Sequence, residues 1–255
     1  MLDQHYVYYP ARWEPGDWKA VSRLPLEDIW LTTSDGERIF GWYAAAADEQ
    51  AVLLWCHGNA GNIIDRLDNL AQLHRRGVSV FLFDYRGYGQ SSGRPSEDGL
   101  YRDALAAYEY VTQQRGVPAS RLVIFGRSLG AAVAGELARQ RPSAGLILET
   151  PFPSVLEVAK LVAPHLPVHL LISARFDLAS RLKHVHIPLL VLHGDSDTTI
   201  PFSLGQAVYD AANEPKRFYR IPGANHNDTY LVGGDAYFDE FVGFIRRVTR
   251  SESGP

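Results

Sequence analysis

Ser128 stands in the pentapeptide Gly126-Arg127-Ser128-Leu129-Gly130, directly after the apolar run Leu122-Val123-Ile124-Phe125 and directly before the small-residue run Ala131-Ala132-Val133-Ala134-Gly135. Strand, sharp turn and helix in that order hold a serine with its Oγ proud of a sheet. The flanking glycines are needed because side chains there would strike the neighbouring strand and helix. A serine hydroxyl is a weak nucleophile near neutral pH, so it needs a histidine base within hydrogen-bond reach and an acid to orient the imidazole. Both residue types follow downstream at strand ends. Leu189-Leu190-Val191-Leu192 leads into His193-Gly194-Asp195-Ser196-Asp197, and the run 217–221 leads into Pro222-Gly223-Ala224-Asn225-His226. The carboxyl edge of the strands is where an open α/β sheet gathers a site. The sequence therefore offers Ser128 as nucleophile, His226 as general base, and Asp197 or its loop neighbour Asp195 as the orienting acid.

Among nine histidines, His226 stands out by strand, loop and order. His57 and His193 each precede a glycine at a strand end and read as turn-packing groups that bond backbone. Neither His184 with His186 nor His165 with His169 has a nearby carboxylate to complete a ligand set, so no metal is expected. No GxGxxG or phosphate loop is present, and no organic cofactor is expected.

These side chains must be carried by a regular scaffold. Apolar runs of strand length recur at 51–56, 78–84, 122–125, 145–149, 189–193 and 217–221, and most are separated by stretches of helical periodicity. Near-continuous apolar content within most of these runs marks strands buried on both faces of a parallel sheet. The runs 26–32 and 38–45 flank Ser34-Asp35-Gly36, a turn signal, and predict an antiparallel hairpin at one edge. Helices are predicted at 63–76, 97–114, 128–140, 153–163, 202–212 and 236–250. Ser96 before Glu97 and Asp98 is a helix start with acids at its positive end.

The chain has 255 residues, suited to one α/β domain spanning 1–255. Its net charge is −4 and its basic residues are scattered among acids, which argues against a nucleic-acid partner. The one cysteine, Cys56, lies in an apolar strand pattern, so an internal disulfide and a cysteine-based zinc site are excluded. Met1-Leu2-Asp3-Gln4-His5 has neither a charged nor an apolar leader pattern, and a cytoplasmic location is expected. No transmembrane segment is expected, because the most apolar later stretch, 161–172, is short and carries Pro164 and Pro167. The aromatic group Tyr6, Tyr8, Tyr9, Trp13 and Trp18 reads as packing over the sheet edge rather than as an interfacial anchor. A monomer or weak dimer is expected.

With these residues in view the chain resembles an α/β-hydrolase, whose order of triad residues is Ser, Asp, His. Within that superfamily it is similar to the bud-emergence type serine hydrolases and the protein depalmitoylases. The likeness is carried by His57-Gly58-Asn59-Ala60-Gly61-Asn62, Asp84-Tyr85-Arg86-Gly87-Tyr88-Gly89, the Ser128 pentapeptide, Glu149-Thr150-Pro151-Phe152, the segment 193–201, and Gly223-Ala224-Asn225-His226-Asn227-Asp228. The resemblance implies a mostly parallel sheet of about eight strands with an antiparallel N-terminal edge, helices on both faces and a small cap within 150–188. It favours Asp197 over Asp195 as the acid and makes Glu149 a residue behind the site. It also implies an oxyanion hole from the main-chain N–H groups of Asn59 and Leu129, whose side chains would then be free to vary. Relatives in this branch often carry a membrane anchor or a lipidated cysteine-rich segment, and this chain shows neither.

The activity implied is hydrolysis of a small-molecule carboxylic ester or thioester of short to medium acyl length through an acyl-enzyme. Tyr88, Phe152 and Leu166 are the substrate-binding candidates, with Val162, Val168, Leu170, Leu171 and Ile172 adding apolar surface. The same triad serves a peptidase, an amidase or a cofactor-free perhydrolase, and the fold also occurs in binding proteins without activity.

Overall fold

The computed structural model describes residues 7–14, 16–47, 49–162, 165 and 172–250. Its centre is an eight-stranded sheet. The strands are β1 (Leu26–Thr32), β2 (Arg38–Ala44), β3 (Val52–Cys56), β4 (Ser79–Phe83), β5 (Leu122–Arg127), β6 (Gly145–Glu149), β7 (Leu189–Gly194) and β8 (Lys216–Ile221). Across the sheet they run β8-β7-β6-β5-β3-β4-β2-β1. The pairs from β8 through to β4 are parallel, and β2 is antiparallel to both β4 and β1. This is the expected mostly parallel sheet with an antiparallel edge.

Burial explains the strand sequences. In β3, Leu53 and Trp55 enter one apolar cluster while Val52, Leu54 and Cys56 enter the other, so every position is covered. Edge strand β1 instead leaves Glu27, Asp28, Trp30 and Thr32 exposed and alternates buried with exposed residues from Ile29 onward, as a strand at a solvated edge does.

Among the described residues, besides the five-residue helix Trp18–Ser22, the α-helices are α1 (Leu67–Arg75), α2 (Glu97–Glu109), α3 (Leu129–Gln140), α4 (Val155–Val162), α5 (Leu178–Leu182), α6 (Phe202–Ala211) and α7 (Thr229–Thr249). Leu70 and Leu73 of α1 and Tyr237, Phe241 and Ile245 of α7 cover one face, and Ala104, Val133, Leu137, Leu178 and Val208 cover the other. Neighbouring strands β3 and β5 thus send their following helices to opposite faces. Their carboxyl ends lie at that reversal of strand order, which is where α/β sheets place ligands.

Several helices depart from their sequence-based bounds. The segment predicted as helix 63–76 begins with the 3₁₀ turn Ile63–Arg66, and α2 ends in the π-helical turn Tyr110–Gln114. The final helix starts at Thr229, earlier than the predicted 236, because Gly234 breaks the run with φ +53° and hides its first turns from a periodicity count. Helix α5 and the turn Trp18–Ser22 escape a 3.6-residue pattern because each is only five residues long. Within the region expected as a cap, α4 and α5 are the described helices.

Candidate active site

Ser128 occupies the turn between β5 and α3 with φ +53° and ψ −119°. That left-handed-side geometry is strained for a residue with a Cβ, at roughly 1–3 kcal/mol. Its neighbours enforce it: an ideal Cβ on Gly126 would lie 2.3 Å from Gly130 O, and one on Gly130 would lie 2.1 Å from Cys56 O. The Ser128 N–H donates to Glu149 O at 2.9 Å, which fastens the turn to β6.

His226 lies on the loop between β8 and α7. Its Nδ1 is 2.7 Å from Asp197 Oδ2 and its Nε2 is 3.1 Å from Ser128 Oγ. A carboxylate only accepts, so Nδ1 carries the proton and Nε2 is left to receive the serine hydroxyl. Three residues distant in sequence are therefore joined in one hydrogen-bonded chain.

Asp197 sits in a nest of donors. Its Oδ1 accepts the N–H groups of Thr199 at 2.8 Å and Ile200 at 2.7 Å. Oδ2 also faces Nε2 of buried His193 at 3.5 Å, whose own bond to Ile200 O is 2.9 Å. Burial pushes the Asp197 carboxyl up, but the His193 and His226 hydrogen bonds, the His226 charge and the Ile200 amide outweigh it and hold it well below the usual carboxylate range. Asp195 points elsewhere, accepting Gly223 N–H at 2.7 Å and Arg220 Nε–H at 2.8 Å. It ties the acid loop to the histidine loop. Asn225 adds a second tie, its Oδ1 accepting Thr198 N–H at 3.1 Å and His226 N–H at 2.7 Å.

The loop after β3 packs against the serine, since a Cβ on Gly58 would stand 3.6 Å from Ser128 Cβ. Among the described residues neither the Asn59 nor the Leu129 amide donates a hydrogen bond. Both therefore have donor capacity left for an acceptor, and Leu129 opens α3, where the helix dipole favours negative charge. The Asn59 side chain is not the free position expected of it: Oδ1 accepts from Tyr9 N–H at 3.2 Å and Tyr88 OH at 2.9 Å, and Nδ2 donates to Val7 O at 2.5 Å.

Other sequence candidates fall differently. Tyr88, expected on a substrate wall, is fully buried beneath Asn59 and edge-on to His57, because its hydroxyl finds an acceptor inside the loop rather than at the surface. Phe152 is buried in the apolar cluster on the α3 face. Leu166, Val168, Leu170 and Leu171 lie outside the described residues, as does the side chain of Val162. Ile172 packs partly buried against the α3-side cluster. Trp13 packs edge-on to Phe40 and Trp42, and Trp18 lies partly buried against the same cluster, as expected of packing over the sheet, whereas Tyr8 is buried against Phe176 and Tyr9 is exposed. Tyr6 lies outside the described residues.

Sequence reasoning missed Arg127. Its guanidinium donates to His226 O and, at 3.2 Å, to Asn227 Oδ1, and lies 3.4 Å from Glu149 Oε1. Glu149, fully buried, also accepts from Thr229 Oγ1 and from Tyr237 OH at 3.0 Å. The available signal was a charged residue at the end of an otherwise apolar strand, which needs a partner wherever it is buried.

The family model described as serine aminopeptidase, S33 (Hydrolase_4) matches residues 47–176. An uncharacterized protein of Mycobacterium tuberculosis is 44% identical over 243 residues, covering 94% of this chain and 85% of its own length. The alpha/beta hydrolase domain-containing protein WAV2 of Arabidopsis thaliana is 32% identical over 267 residues, covering 96% of this chain and 84% of its own. Among solved structures, the Pyrococcus furiosus esterase Pf2001 shares the fold with a TM-score of 0.78 over 94% of this chain and 98% of its own, at 20% identity.

Proposed function

The chain belongs to the serine aminopeptidase, S33 (Hydrolase_4) family and has the α/β-hydrolase fold, and from that premise we propose that it is a serine hydrolase of carboxylic esters or thioesters. Within the family we place it beside the bud-emergence and depalmitoylase-like branch, on its Asp84 to Gly89 and Gly223 to Asp228 blocks.

The observation that carries the reading is the hydrogen-bonded chain Ser128–His226–Asp197 at the reversal of strand order. Ser128 Oγ attacks the acyl carbon as its proton passes to His226 Nε2, and the carbonyl oxygen becomes an oxyanion held by the Asn59 and Leu129 amides. Asp197, ionised and fully hydrogen-bonded, keeps the imidazole in the required tautomer and stabilises the imidazolium. Collapse of the adduct breaks the bond to the leaving alcohol or thiol, which takes the proton from Nε2. Water then attacks the acyl-enzyme by the same route, releasing the acid and restoring the Ser128 hydroxyl. Short to medium acyl chains are the proposed substrates.

The family's description as serine aminopeptidases favours a second reading, hydrolysis of peptide or amide bonds on the same triad. Both are tested with p-nitrophenyl esters from acetate to palmitate and aminoacyl p-nitroanilides, on the wild type and Ser128→Ala, alongside fluorophosphonate labelling. Ser128-dependent ester turnover peaking at short or medium chains supports the first reading. Anilide turnover above ester turnover supports the second. No turnover and no labelling overturns both and leaves a binding protein on a hydrolase fold.

A further inference from the structure

The segment 7–13 is laced between two loops of the site. Tyr9–Pro10 pairs in parallel with Ala60–Gly61, and Ala11 N–H donates to Gly61 O at 3.1 Å. On its other side Gly89 N–H donates to Ala11 O at 2.9 Å and Trp13 N–H to Gly89 O at 3.2 Å. Asn62 Nδ2 reaches Arg12 O at 3.3 Å, and Arg12 Nη1 reaches Ser91 O at 3.0 Å. Val7 and Tyr8 are buried, and the Tyr8 ring stands edge-on to Phe176 at 6.2 Å, where the cap region rejoins the body.

A further tie is the Asn59 carboxamide, bound to Val7 O, Tyr9 N–H and Tyr88 OH. Its own main-chain N–H is the donor assigned above to the oxyanion. That donor lies in a turn bounded by Gly58 and by Gly61 at φ +79°, residues that restrict a backbone little. An oxyanion donor works only when held close to its productive geometry before the charge develops. Here the restraint comes from a side chain clamped to a segment on the far side of the loop.

We propose that residues 7–9, acting through the Asn59 carboxamide, are a positioning element of the oxyanion site, with Tyr88 as its second support. The inference rests on the serine hydrolase reading. The strap and the Tyr88 hydroxyl hold the Asn59 side chain, and the side chain holds the Asn59 amide toward the adduct on Ser128. The phenol expected to meet substrate instead acts one residue removed from it.

The test compares the full-length wild type with Asn59→Ala, Tyr88→Phe and Ser128→Ala on p-nitrophenyl butyrate. It measures kcat and KM separately, the pH profile, fluorophosphonate labelling, and hydrogen–deuterium exchange across 57–62. Asn59→Ala is expected to lower kcat about 30-fold and Tyr88→Phe about 3-fold, with KM within about twofold, because only transition-state stabilisation is lost. The pH profile stays in place, since His226 and Asp197 are untouched, and exchange across 57–62 rises in Asn59→Ala. If Asn59→Ala does not fold, Tyr88→Phe, which deletes one oxygen, carries the test. Unchanged kcat in the folded variants, or a rise in KM without a fall in kcat, overturns the positioning role alone while the wild type still labels at Ser128. A wild type with neither labelling nor Ser128-dependent turnover overturns the hydrolase reading and this inference together.

Discussion

Arg127, the residue before the candidate nucleophile, donates through Nη2 to the main-chain oxygen of His226, the candidate base. The sheet register makes this possible: Arg127 at the end of β5 lies opposite Glu149 at the end of β6, and the Glu149 carboxylate holds the guanidinium from below. Glu149 is held in turn by Thr229 and Tyr237 of α7, the helix that follows the His226 loop. Nucleophile turn and histidine loop are therefore cross-braced through one buried ion pair.

Arg127→Met should lower kcat by about 10–100-fold and cost about 3–5 kcal/mol of stability, because it leaves Glu149 buried and unpaired. Removing both charges in Arg127→Met/Glu149→Gln should restore most of the stability but not the rate, since the His226 carbonyl still lacks its donor. Urea unfolding and ester turnover on the two variants read the two effects separately. Recovery of kcat in the double variant would refute the bracing role.

Asp197→Asn should reduce kcat by about 10⁴-fold by losing the orienting carboxylate. It should also change the response to acid. The folded carboxyl is held below its unfolded value of about 3.9, so its contribution to stability is present above about pH 4 and is lost as the pH falls toward the folded value. Urea unfolding between pH 5 and 2 should show a shallower acid decline in the variant than in the wild type. Equal slopes would mean that Asp197 is not held ionised by its donors.

Two glycine substitutions should have opposite signs. Gly130→Ala drives a Cβ to 2.1 Å from Cys56 O and 2.4 Å from His57 O, main-chain atoms at and just beyond the end of central strand β3 that cannot yield, and should cost more than about 4 kcal/mol or prevent folding. Gly243→Ala, within α7 and 3.5 Å from the flexible end of Arg247, should add about 0.5–1 kcal/mol by helix propensity. Thermal unfolding of both variants decides it.

Cys56, fully buried on β3, has its thiol pushed up to about 12 by burial, with the neighbouring Tyr85 hydroxyl opposing the shift only in part. Ellman's reagent should leave the native protein unmodified and react with one thiol on unfolding. Hydrolysis should survive thiol reagents and fail with serine-directed ones. Modification of the native protein at a free-thiol rate would contradict the packing of β3.

The local grammar of the chain was legible before its fold. Apolar runs marked β3 to β7 within a residue or two, Ser34-Asp35-Gly36 marked the hairpin of β1 and β2, and the glycines around Ser128 marked a turn that tolerates no other side chains. The start of α7 was not legible, because Gly234 interrupts its periodicity, and neither was five-residue α5.

For the site, the sequence alone determined which residues are the candidates for chemistry and in what order they stand, because a glycine-flanked serine turn, an acid loop and a histidine loop each have local composition rules and each follows a strand. Tertiary structure decided what holds them. The pairing of Arg127 with His226 and Glu149, the clamping of Asn59 by residues 7–9, and the burial of Tyr88 all join positions remote in sequence. Such contacts depend on strand order and register, and those are settled when the two faces of the sheet are covered, not by any run of neighbouring residues.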